Sequence, residues 1–302
     1  LRSLEKFIKS WWDWCIAGLV SFILTVLKWI PARRGINFFA AFARLCGPFM
    51  GRHRVALHNL RLAFPQKTDK EIKVIALGMW ENMGRLFAEY VYLDEIFDFD
   101  PFSDKKGLIE VSGLDLFIKL REEKRSHIFF TAHTGNFELL PICAATFDLE
   151  VTALFRPPNN PYIAKRVLQA RRTNMGHLVP SKAGSALALA GILERGGNIG
   201  VLVDQKFSRG IETSFFGHSV KTNPLLAKLV RQFDCPVYPA RCIRLPEGRY
   251  RLELYPEIEI PRRPDGTVDI LAATQKLNDI AESWIREHPE QWMWFHKRWK
   301  NK

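Results

Sequence analysis

The sequence predicts an α/β fold: helices sandwiching a mostly parallel sheet, preceded by an N-terminal hydrophobic membrane helix and amphipathic helices. Three observations predict it. From residue 108 onward short, near-continuous apolar strands alternate with helical segments, as in a sheet covered on both faces. An apolar run at residues 14–30 comes well before them. Between the two, apolar residues recur at helical spacing among arginines.

Residues 14–30 (WCIAGLVSFILTVLKWI) are apolar except for Ser21, Thr25 and Lys28. A spanning helix needs about 20 such residues, with roughly 17 as the lower limit. Trp11, Trp12, Trp14 and Trp29 bracket the run as an aromatic belt would, and Arg33 and Arg34 follow it. Residues 1–31 are therefore expected to form a membrane helix, spanning or interfacial, and residues 32–100 a helical, membrane-associated region. Ile72, Ile75, Ala76, Met79, Met83, Leu86, Phe87 and Tyr90 place one long helix from Asp69 to about residue 93. A polar break at 101–107 opens the catalytic core, residues 101–302. Strands are expected at 108–111, 127–131, 150–155, 199–203, 236–243 and 249–255. Helices are expected at 114–120, 137–147, 161–175, 185–193, 223–233 and 271–287. Pro246-Glu247-Gly248 joins the last two strands as an antiparallel hairpin.

The 302 residues carry 44 Lys+Arg against 32 Asp+Glu, a formal net charge of +12. No acid lies between Asp13 and Asp69, while Lys28, Arg33, Arg34, Arg44, Arg52, Arg54, Arg61 and Lys67 do. That asymmetry suits an anionic membrane surface, an acidic carrier protein or nucleic acid. The basic-aromatic tail, with Trp292, Trp294, Phe295 and Trp299 among His296, Lys297, Arg298 and Lys300, can stack on single-stranded nucleic acid or lie in a membrane interface. The apolar N-terminal run favours the membrane. Five cysteines form no CxxC pair and read as free thiols of a reducing compartment.

The segment HIFFTAHTGNFE (127–138) sets His133 just beyond the end of a strand, where catalytic groups of open α/β sheets gather. Asn136 is a good N-cap, so Glu138 falls in the first turn of the next helix, where the helix dipole favours a carboxylate. Gly135 permits the tight turn. Glu138 is expected to fix the His133 tautomer, leaving the other ring nitrogen to take a proton from a substrate hydroxyl. No serine or cysteine nucleophile accompanies the pair. The backbone N–H groups of Gly135 and Asn136, or Arg156, are the candidate donors to an oxyanion. Arg156, at a strand end, could fork onto a phosphate, and Arg171 and Arg172 could join it. Asp204 and Gln205 follow another apolar strand. Phe215 and Phe216 are expected in an apolar loop lining an acyl groove. No metal site is expected, because ligand spacing is lacking.

The HTGNFE segment resembles the HX4(D/E) motif of the glycerophospholipid acyltransferase superfamily. Four further blocks resemble its bacterial lipid A late-acyltransferase branch: RHRVALHNLRLAFP (52–65), LFRPPNNP (154–161), LVDQKFSRGIETSFFGHSVKTNP (202–224) and HPEQWMWFHKRWK (288–300). Together they span residues 52–300, which makes the set far more specific than any one block. His288 departs from the family pattern, which has Asn there. The resemblance implies that His133 and Glu138 are catalytic and that Arg156, Asn159, Asp204 and Gln205 belong to the substrate site. It implies an acyl-carrier-protein phosphopantetheine thioester as donor, no bound cofactor, and a hydroxyl of a Kdo-bearing lipid A precursor as acceptor. The place would be the cytoplasmic face of the inner membrane, with no nucleic-acid partner. A mycobacterial branch with the same motif acylates a mannosylated phosphoinositide, so another glycolipid or a lysophospholipid is the alternative acceptor. A non-catalytic basic binding protein would require all these blocks to be accidents.

Overall fold

The structure is a computed structural model that describes residues 2–101, 107–155, 160–164, 177–181 and 184–299. Five helices come first: α1 (Arg2–Leu27), α2 (Ala32–Cys46), α3 (Gly51–Ala63), α4 (Asp69–Glu89) and the short α5 (Leu93–Ile96). Within α1, Ser10–Leu27 is long and apolar enough to cross a membrane, and only 11% of that stretch is buried. A core helix of a soluble protein would bury most of it. Thr68 and Glu71 start α4 with a capping box: the Glu71 N–H donates to Thr68 Oγ1 (3.3 Å) and the Thr68 N–H to Glu71 Oε2 (2.8 Å). Helices α2 and α4 cross at Gly84, where an added Cβ would sit 2.2 Å from the Phe39 carbonyl oxygen. Only glycine allows that approach.

The remaining elements are β1 (Ile109–Ser112), α6 (Leu114–Glu122), β2 (Ile128–Thr131), α7 (Leu139–Thr146), β3 (Val151–Phe155) and β4 (Leu178–Pro180). They continue with α8 (Ser185–Glu194), β5 (Asn198–Leu202), β6 (Lys206–Phe215), β7 (His218–Thr222), α9 (Leu225–Phe233), β8 (Val237–Arg244), β9 (Tyr250–Leu254) and α10 (Ile270–Glu287). Seven strands form one sheet in the order β1-β9-β8-β2-β5-β3-β4, parallel throughout except for the β8–β9 pair. The α/β class, the parallel sheet and the closing hairpin are as the sequence predicts. Alternation along β2 serves both faces: Ile128 and Phe130 enter one apolar core with α3, α4, α8, α9 and α10, while Phe129 enters the other with α6 and α7. Of the helix expected at 161–175, residues 161–164 are helical and 165–175 lie outside the described residues.

Two expectations are corrected. The loop expected around Phe215 is a β-hairpin, β6–β7, turning at Phe216 and Gly217, both at positive φ. The C-terminal aromatics are not a surface tail. Trp292, Trp294 and Trp299 are buried with Phe64, Phe215 and Phe216, and their indole N–H groups donate within the protein, to Asp204, Pro289 and Phe215. Indoles with internal partners gain by leaving water, so this segment is core.

Cys143 and Cys242 are buried free thiols. Burial is the main cause that pushes both thiols up, Cys242 to about 12, so about 10⁻⁴ of Cys242 is thiolate at pH 8. Maleimide at that pH should leave both unlabelled in the native protein and label both after denaturation, as read by peptide mass.

Candidate active site

Strands β2 and β5 are parallel neighbours, with Thr131 opposite Leu202. The ladder runs one step further, since the Val203 N–H donates to the Thr131 carbonyl (3.1 Å). His133 and Asp204 each lie two residues past these paired strand ends, so the register brings them face to face. His133 Nδ1 is 2.8 Å from Asp204 Oδ1, and the His133 backbone N–H donates to Asp204 Oδ2 (3.0 Å). The Trp292 indole N–H donates to Asp204 Oδ2 as well (2.6 Å). Burial alone would push the Asp204 carboxyl up. The charge and N–H groups of His133, with the Trp292 indole, outweigh it and hold Asp204 well below the usual carboxylate range. An ionised Asp204 requires the proton of a neutral His133 ring to sit on Nδ1, which makes Nε2 the accepting nitrogen.

The carboxylate on the imidazole is thus Asp204, where the sequence reading expected Glu138. Glu138 forms the N-cap of α7 and its own N–H donates to Asn136 Oδ1 (3.2 Å). Its carboxylate accepts from the Tyr90 hydroxyl, which directs it to α4's end rather than to the His133 ring. Gln205 Nε2 lies 3.1 Å from His133 Nε2 and donates to it. Arg298, buried, donates to the Gln205 carbonyl (3.1 Å) and so holds that residue's backbone.

His133, Glu138 and Gln205 line one cavity of about 1290 Å³, above the roughly 300–1,000 Å³ of ordinary small-molecule sites. Its walls are largely apolar, from Leu140, Val151, Leu178 and Leu252 among others; α1 supplies Val20, Leu24 and Thr25, and Lys28 follows in the turn after it. The candidate membrane helix is therefore a wall of the site. A long apolar chain fits such a space, and a histidine with an unprotonated Nε2 on its wall can deprotonate a hydroxyl that takes the place of the Gln205 amide there.

Three other expectations resolve differently. Phe215 and Phe216 are not among the cavity-lining residues; they pack against the tryptophans and Phe64. The Gly135 N–H donates to the Gln291 carbonyl (3.2 Å), and the Asn136 backbone N–H acts on the buried Cys242 thiol, working against its burial. The first proposed oxyanion donor is thus already spent, and the second lies against a buried thiol. Gly135 keeps a structural reason: its φ is +57° and a Cβ would meet the Cys242 carbonyl oxygen at 2.4 Å. Arg156, Asn159, Arg171 and Arg172 lie outside the described residues.

Sequence reasoning missed Trp292 and Tyr90 as partners of the two carboxylates. It also missed a buried network behind the His133 loop. Glu89 accepts from Asn136 Nδ2 (2.9 Å), from the Tyr250 hydroxyl (2.7 Å) and from both terminal nitrogens of Arg244, one at 3.0 Å. The available signal was periodicity. Asn82 and Glu89 follow Ile75 at intervals of seven, so polar residues stand on an apolar helix face.

A family model described as bacterial lipid A biosynthesis acyltransferase matches residues 6–301. The lipid A biosynthesis palmitoleoyltransferase of Escherichia coli K12 is 24% identical, with 84% of this chain and 81% of that protein covered. The lipid A biosynthesis lauroyltransferase of the same organism is 22% identical, covering 97% and 93%. The solved 1-acyl-sn-glycerophosphate acyltransferase of Thermotoga maritima shares 15% identity over 94% of this chain and 100% of its own, at a TM-score of 0.40.

Proposed function

The chain belongs to the bacterial lipid A biosynthesis acyltransferase family, and from that premise we propose that it moves a fatty acyl chain from an acyl-carrier-protein thioester to a hydroxyl of a Kdo-bearing lipid A precursor. The acceptor oxygen enters the cavity beside His133 Nε2. His133 takes its proton as the oxygen attacks the thioester carbonyl, and Asp204 fixes the ring and stabilises the imidazolium. The C–S bond then breaks, and the departing thiolate takes the proton back from His133. No acyl-enzyme forms. Glu138, held by Tyr90, adds a second carboxylate to the same cavity and favours the imidazolium.

One observation carries the reading: a histidine oriented by a buried carboxylate, with Nε2 toward an apolar cavity that the N-terminal helix helps to wall. The place we propose is the cytoplasmic face of the inner membrane, with α1 in the bilayer. Lipid acceptors then reach the cavity from beside the helix. The relatives named above act in lipid A biosynthesis, which favours that acceptor over other glycolipids or lysophospholipids.

The test is transfer of a radiolabelled acyl group from acyl-carrier protein to purified Kdo-bearing lipid A precursor in detergent. His133→Ala should lower the rate by about 10²–10⁴-fold, the usual worth of a positioned general base. Near-normal transfer by His133→Ala would sink the mechanism. Thiol release only with another lipid would replace the acceptor.

A further inference from the structure

A second imidazole stands in the cavity without a place in the chemistry above. His296 lines it together with His133 and Gln205. Its Nε2 accepts the backbone N–H of Lys206 at 3.4 Å, while the preceding side chain, Gln205, donates to His133 Nε2. One dipeptide, Gln205-Lys206, therefore touches both histidines. His296 and His133 thus border the same stretch of the cavity wall.

The Lys206 contact also settles where the His296 proton lies. A ring nitrogen that accepts a hydrogen bond carries its lone pair there, so a neutral ring holds its proton on Nδ1. That Nδ1–H has no partner among the described residues. Burial pushes the His296 pKa down, as do the positive charges of His133, Arg298 and Arg52, with Asp204 opposing them. The ring is accordingly a neutral donor, and it cannot easily serve as a second acid.

The residue is held rigidly. Buried Asn59 donates from Nδ2 to the carbonyls of Trp294 (2.7 Å) and His296 (2.8 Å). The Arg298 N–H donates to the same His296 carbonyl (2.8 Å), and the His296 N–H to Met293 (3.1 Å). The neighbouring Phe295 ring stacks on Trp80 at 5.6 Å. Asn59 belongs to the upstream arginine-rich block, which the proton transfer leaves without a role. Fixing His296 gives it one.

Acyl transfer needs a donor to the thioester oxygen; the Gly135 N–H is occupied, and that of Asn136 lies against the buried Cys242 thiol. We propose that His296 Nδ1–H donates to the thioester carbonyl oxygen as it becomes an oxyanion, a role resting on the acyl-transfer reading above. As the acceptor oxygen bonds to the carbonyl carbon, the carbonyl π pair moves onto that oxygen, which His296 stabilises. The pair returns as the C–S bond breaks and the thiolate leaves with the proton held by His133. A donor of this kind acts in the transition state more than in the ground state.

The test compares His296→Leu, His296→Asn and His296→Gln with wild type and His133→Ala in the detergent assay. Loss of one oxyanion donor typically lowers kcat by about 10²–10³-fold, so His296→Leu should fall by that much with KM within about threefold. Asn places an amide N–H near the Nδ1 position and Gln near Nε2, so His296→Asn should exceed His296→Gln in kcat by about tenfold. Thermal midpoints identify variants that fail to fold, and the Asn–Gln comparison decides the question if Leu is one of them. Normal kcat in His296→Leu, a loss carried by KM alone, or equal kcat in Asn and Gln would overturn the donor role. If His133→Ala is inactive in the same assay, such a result leaves the general-base reading standing. A wild type that releases no thiol with any lipid would overturn both.

Discussion

Asp204→Asn is expected to lower kcat for acyl transfer by about 10³–10⁴-fold while the protein stays folded and KM changes little; the Asp→Asn change in a Ser-His-Asp triad costs a similar amount by the same cause. The reason is the geometry of the carboxylate. Its Oδ2 receives two donors, the Trp292 indole N–H at 2.6 Å and the His133 backbone N–H at 3.0 Å. In asparagine only the carbonyl oxygen can accept them, so the amide NH₂ must turn toward His133 Nδ1. That nitrogen then becomes the acceptor and the ring proton moves to Nε2. The nitrogen that should take the substrate proton already holds one. An enzyme whose imidazole was oriented by Glu138 would keep most of its activity in this variant. Steady-state kinetics beside a thermal melt separate the two outcomes.

The place of Asp204 also shows where local reading of the sequence stops. His133 and Asp204 are each recognisable as polar residues just past an apolar strand, and the HX4(D/E) resemblance marks the segment that holds His133. Their contact depends on β5 lying beside β2 in a register that pairs Thr131 with Leu202. Strand order joins residues 71 positions apart, and no local spacing encodes it. A search for a partner within one turn of His133 finds Glu138 instead. The aromatic tail fails for a related reason. Tryptophans alternating with cations read alike whether the indoles meet lipid or fill a core. Only the β6–β7 hairpin, whose mixed sequence shows no clear alternation, supplies the Phe215–Phe216 surface that buries them. Strand–helix alternation, by contrast, is carried by residues close in sequence. Six of the seven strands of the sheet, all but β4, and most of its helices were legible for that reason.

The second large effect is on stability. Glu89→Ala should destabilise the fold by about 3–5 kcal/mol, the usual cost of removing one member of a buried ion pair. Glu89 is wholly buried, and Arg244, Tyr250 and Asn136 all donate to it. Burial works against the Arg244 charge, but Glu89 more than offsets that and holds the guanidinium above its ordinary pKa. Alanine would leave a cation and two polar donors without their acceptor in a site closed to water, and each orphaned group adds to the cost. A loss of that size lowers the melting midpoint by about 5–8 °C in a chain of this length. Glu89→Leu combined with Arg244→Met should recover much of it, because an apolar pair of similar volume removes the desolvation cost as well as the attraction. The double variant should still transfer acyl groups slowly. Asn136 would have lost the acceptor that ties the His133 loop to α4. A Glu89→Ala protein melting within about 2 °C of wild type would show that water reaches the pair. It would also remove the network as a support for the loop.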